Sequence, residues 1–148
     1  MTRFSKGRAL AVGGALVGAL VAGGPAAYGA LAGEDTGRGQ AYVETHLYFG
    51  TQRSDGGPAV TDPQFMDFMD RRVTPAFPEG LTLQQGRGQW RNAHGVIERE
   101  RSYELLLLYP AAEAKVRDQR IEAIREAYQR EYAQESVGRA DDRTRVDF

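Results

Sequence analysis

The sequence predicts an α+β domain: one four-stranded antiparallel sheet with two helices on one of its faces. Three observations lead there. Several segments alternate between apolar and polar residues, two segments carry apolar residues at helical spacing, and their order is βαββαβ.

The first strand is "AYVETHLYFG", from Ala41. Val43, Thr45, Leu47 and Phe49 take one face; Tyr42, Glu44, His46 and Tyr48 take the other. "TQRSDGGPAV" follows as a loop. "TDPQFMDFMDRRV" is the first helix, capped by Thr61 or Asp62, with Pro63 in the first turn, where no N–H is missed. Its stripe is Phe65, Phe68, Met69 and Val73, and Pro75 ends it. "LTLQQGRGQWR" and "VIERERSYELLLLYP" form a hairpin turning at "NAHG". "AAEAKVRDQRIEAIREAYQREY" is the second helix, lined by Val116 or Arg117, then Ile121, Ile124, Tyr128 and Tyr132. A final strand and tail carry Val137, Val146 and Phe148. This order is the ferredoxin-like, split βαβ arrangement, and right-handed crossovers put the first and third strands in the centre.

Ahead of this domain, residues 1–32 have the pattern of a secretory leader. Arg3, Lys6 and Arg8 form a basic head, an uncharged stretch follows, and Ala30-Leu31-Ala32 reads as a cleavage site. The competing reading is an uncleaved N-terminal membrane anchor, although Pro25 and the many small residues make it weakly apolar. A polar linker spans 33–40, leaving 41–148 as a single α+β domain. The expected location is therefore exported: periplasmic, extracellular or in the cell envelope. Cysteine is absent, which excludes disulfides, thiolate metal sites, a cysteine nucleophile and a lipid-modified cysteine. Without the three basic residues of the leader, 16 basic residues face 20 acidic ones, a net charge of −4 that argues against nucleic acid. Membrane contact is expected only through the N-terminal segment, if it stays uncleaved.

The stretches "ETHLYFG", "VTPAFPEGLTLQQGRGQWRN", "GVIERE", "LLLLYP" and "QESVGRADDRTRVDF" resemble an uncharacterised bacterial family, domain of unknown function 3574. The resemblance covers Tyr42 to Phe148, and its most specific part runs from "TPAFPEGLT" to "GQWR". It implies an exported or envelope protein. Many members carry a lipid-attachment cysteine that this chain lacks. It implies no activity, cofactor or catalytic residue.

Three features merit weighing as sites. "ELLLLYP" is apolar on both faces, with Leu106 and Leu108 on one and Leu105, Leu107 and Tyr109 on the other. A sheet with helices on one side only should alternate, so something should cover the second face. The candidates are a homodimer packed sheet on sheet, the long hairpin folded over it, or the chain's own tail. His46 lies between Glu44 and Tyr48 on the polar face of the first strand. Such a row is suited to acid–base work, or is a half-buried polar row without chemistry. It supplies too few ligands for a metal site, and no cofactor is expected.

The third feature is Gln89-Trp90-Arg91. Gly86, Gly88 and Trp90 share a strand face, so the indole either lies across the glycines or floors a slot above them. Arg87 and Arg91 have the opposite parity, and Arg99 and Arg101 have the parity of Ile97; arginines clustered there suit a carboxylate or phosphate. The candidate ligand-binding residues are therefore His46, Tyr48, Gln89, Trp90, Arg91 and Arg101. No catalytic residue is assigned: there is no nucleophile elbow, P-loop, HExxH or GxGxxG. The leading functional expectation is an exported small binding or interaction domain. The alternative is a small-molecule enzyme of the dimeric ferredoxin-like type, with a pocket around His46, Tyr48 and Trp90.

Overall fold

The computed structural model describes residues 37–148; the leader or anchor expected over 1–32, and the linker up to residue 36, lie outside the described residues. The elements are β1 (Gln40–Gly50), α1 (Asp62–Phe68), β2 (Thr82–Arg91), β3 (Ile97–Pro110), α2 (Ala114–Tyr132) and β4 (Gly138–Val146). The first strand thus starts at Gln40, the residue assigned to the linker, because Gln40 already pairs with Val146. The sheet order is β2-β3-β1-β4, every pair antiparallel, which is the ferredoxin-like topology with β1 and β3 central.

Alternation along β1 sends Thr45, Leu47 and Phe49 into the core and leaves His46 and Tyr48 on the other face. Thr61 caps α1 in a reciprocal box: its hydroxyl accepts from the Gln64 N–H, and the Gln64 side chain accepts from the Thr61 N–H at 2.9 Å. The helix widens into a π-helical turn over Met69–Val73, which keeps both of those residues buried with Phe65 and Phe68.

Aromatic rings form the centre of the core. Tyr128 of α2 meets Phe49 and Phe68 edge to face at 4.8 and 5.1 Å, and Phe65 stacks on Tyr103 at 3.8 Å. The buried hydroxyls are satisfied: Tyr128 donates to the Gly50 carbonyl at 2.8 Å and Tyr132 to that of Gln64 at 2.9 Å. Of the two residues considered for the apolar stripe of α2, Arg117 is buried and Val116 is 55% exposed. The Arg117 guanidinium bonds Glu113, Glu79 and the Ala76 carbonyl and sits 5.3 Å from the Phe77 ring centroid. It ties the connection after α1 to the start of α2. Its pKa is raised, first by the hydrogen bond to Glu79.

Leu105, Leu107 and Tyr109 pack under the helices, whereas Leu106 and Leu108 are half-buried on the opposite, open face. The tail does not cover them: Phe148 is 95% exposed and touches Tyr42 edge to face at 5.9 Å. The hairpin covers only the other end of this face. Its turn meets the α2–β4 connection, where the Ala93 N–H donates to Glu135 at 3.3 Å.

Candidate functional site

The register fixes which side chains share the open face. From β2 come Gln84, Gly86, Gly88 and Trp90, opposite Glu104, Ser102, Glu100 and Glu98 of β3. From β1 come His46, Tyr48 and Gly50, opposite Leu106, Glu104 and Ser102. β4 brings Gly138 opposite Tyr48. Gly50, Gly86 and Gly88 surround Ser102; the Glu100 carboxylate lies over Gly50, Ser102 packs beside Gly88, and Gly86 is left open. The hairpin arches over it towards Gln134 and Ser136, and the space between is a trough of about 530 Å³.

Close packing explains the glycines. A β-carbon on Gly88 would lie 3.2 Å from Cβ of Ser102, and one on Gly138 3.3 Å from Tyr48. A β-carbon on Gly86 would have only the Ser102 hydroxyl within reach, at 3.5 Å. The indole of Trp90 therefore does not lie across Gly86. The slot opens over Gly86, and Trp90 and Tyr48 both line it.

The slot is edged by acid. Glu100 turns one carboxylate oxygen to the end of β1, where it accepts the N–H groups of Thr51 and Gln52, both at 2.6 Å. Glu104 accepts from Nδ1 of His46 at 2.7 Å, and Glu44 from Nε2 at 2.9 Å. Neutral imidazole has one N–H, so satisfying both carboxylates requires imidazolium. The pKa of His46 is raised accordingly, first by the Glu104 bond and then, against partial burial, by Glu44. Burial, followed by the Glu104 charge, pushes the Tyr48 phenol up.

The sequence-predicted residues divide into three groups. Tyr48, Gln89 and Trp90 line the trough. His46 does not; it stacks beside Tyr48, with centroids 6.3 Å apart, and touches the site through Glu104. Arg91 and Arg101 take the other face of the hairpin, opposite Ile97 and Arg87, so a joint site of Trp90 with these arginines is not formed. Gly50, Glu100, Ser102 and Glu104 were missed, because they join the site only through strand register. The "ERER" stretch held the missing signal: alternation puts Glu98 and Glu100 on the open face and Arg99 and Arg101 on the other. Among the described residues, no group of three or more His, Asp or Glu side chains is placed to hold a metal.

Fold and site together define a small ferredoxin-like α+β domain with an acidic, glycine-floored trough on its open face. The chain belongs to the family described as "Protein of unknown function (DUF3574)", whose model matches residues 44–148. No curated protein matches it. Solved structures similar in fold include a phage SAM lyase in complex with S-methyl-5'-thioadenosine: TM-score 0.57, 15% identity, covering 72% of this chain and 85% of that one. The same description in the apo state gives a TM-score of 0.53 at 15% identity, covering 68% and 79%.

Proposed function

We propose that this is an exported binding domain that takes a flat, nucleoside-like small molecule in the trough between Tyr48 and Trp90. The observation that carries the reading is the open backbone at Gly86, in a trough that two aromatic side chains, Tyr48 and Trp90, also line. An aromatic ring entering there finds stacking partners, and its hydroxyl or amino donors find Ser102, Gln84 and the carboxylates of Glu100 and Glu104. Those carboxylates disfavour a phosphorylated ligand. The volume is that of ordinary small-molecule sites. The bound S-methyl-5'-thioadenosine of the phage lyase supports trying nucleosides first.

Trp90 is the only tryptophan, so its fluorescence reports on the trough directly. Titration with S-methyl-5'-thioadenosine, adenosine and S-adenosylmethionine should give saturable quenching that Gly86→Val removes. No response to any of the three, or an unchanged response in the variant, would contradict the proposal.

The alternative reading is an enzyme in the same trough, favoured by the proton-holding pair His46–Glu104 at its edge. Conversion of S-adenosylmethionine by the purified protein, lost in Glu104→Gln, would favour it; bound but unchanged ligand would favour the binding domain.

Export is proposed from the leader pattern of residues 1–32, and N-terminal sequencing of the secreted chain tests it. A homodimer through the Leu106–Leu108 end of the open face is proposed from those half-buried leucines. Light scattering that gives a monomer would remove it.

A further inference from the structure

The hairpin has a second face, and its chemistry is opposite. Arg87 stands directly across from Arg101, Gln89 from Arg99, and Arg91 follows on the same side. Like charges facing each other across a strand pair destabilise it, and neither Arg87 nor Arg99 makes an ion pair with any described residue. Both are exposed, because the helices stop short of this end of the sheet. A hollow of about 490 Å³ lies here, lined among others by Gln85, Arg87, Arg99 and Arg101, with Glu100 at its edge.

Arg101 is held in place. It pairs with Asp62 at 2.8 Å and donates to the Val60 carbonyl at 3.2 Å, while its Nε is enclosed without an acceptor. The acids at the hollow already hold partners of their own. Asp62 also accepts from the Tyr103 hydroxyl, and Glu100 is turned to the Thr51 and Gln52 amides.

We propose that this hollow is a binding site for a phosphate-type oxyanion, held between Arg87, Arg99 and Arg101. Three guanidinium forks around one cavity match a tetrahedral dianion with several acceptor oxygens, and its charge relieves the Arg87–Arg101 repulsion. The site borders the trough, sharing Gln85, Gly86, Arg87 and Glu100 with its lining, but its arginines lie on the opposite face of the hairpin by strand register.

The test is calorimetric titration of the full chain with inorganic phosphate at low salt, with glycerol 3-phosphate, sulfate and acetate in parallel. Phosphate should bind, and more weakly as sodium chloride is added. Arg87→Ser and Arg99→Ser should each weaken it about tenfold. Both side chains are exposed and unpaired, so the fold should not suffer. Arg72→Ser, at another unpaired arginine, should change nothing. Equal affinity for inorganic phosphate and glycerol 3-phosphate assigns the site to the free ion; preference for the ester assigns it to the phosphate of a larger molecule. Acetate equal to phosphate, unchanged affinity in the Arg87→Ser, Arg99→Ser double variant, or no phosphate binding at low salt would overturn the proposal.

Discussion

Glu100 closes over Gly50: a β-carbon on that glycine would lie 2.7 Å from one carboxylate oxygen of Glu100. The backbone of Gly50 is not left-handed, so only space demands glycine there. Gly50→Ala should push the carboxylate off the Thr51 and Gln52 amides and cost about 1–3 kcal/mol. Urea denaturation checks this. Wild-type stability in the variant would mean that the Glu100 bonds carry no weight.

Thr45 is fully buried, and its hydroxyl donates to Asp141 at 2.5 Å. That uses its single proton, so Tyr109 must be the donor in the 2.8 Å contact between their oxygens. Thr45→Val should therefore cost about 1–3 kcal/mol by stranding the buried Tyr109 O–H, whereas Tyr109→Phe removes the donor itself and should cost less. The reverse order of the two variants in thermal unfolding would contradict this assignment.

The His46 clamp has a definite pH signature. Its folded pKa is raised above 6.5, so its contribution is fully present below pH 6.5 and is lost as pH rises through the folded value. Glu44, Glu104 and Tyr48 face it, and Ala140 of β4 stands opposite. Unfolding free energy should fall across that window in the wild type, and His46→Asn should flatten the fall. An equal slope in both proteins would place the titration elsewhere.

Arg117→Ala should destabilise by about 2 kcal/mol, through lost packing on Phe77 and the lost bond to the Ala76 carbonyl. Arg117→Lys should not restore stability, since a single ammonium cannot reach Glu79, Glu113 and the carbonyl with one planar fork. Chemical denaturation of the two variants checks both points.

The elements were legible because alternation and helical spacing are local. Val43 to Phe49 declared a one-sided strand, and Thr61 with Gln64 declared a helix start. The site was less legible because it depends on register. His46 and Tyr48 stood out by type, yet the closer partner of His46 is Glu104, 58 positions away. Trp90 beside Gly86 and Gly88 suggested both a cover and a slot. Only the arch of the hairpin towards Glu135 makes it a slot. The buried Arg117 was ambiguous with Val116 because its partners Glu79 and Ala76 lie on another segment.

The central claim is that the trough takes a nucleoside-like ligand, and chemical-shift mapping of the 15N-labelled protein with S-methyl-5'-thioadenosine tests it most directly. The account predicts saturable shifts at the amides of Gly50, Gly86, Gly88, Ser102 and Gly138 and at the Trp90 indole N–H. An unperturbed spectrum at saturating ligand, or shifts gathered on Arg99 and Arg101 instead, would contradict it.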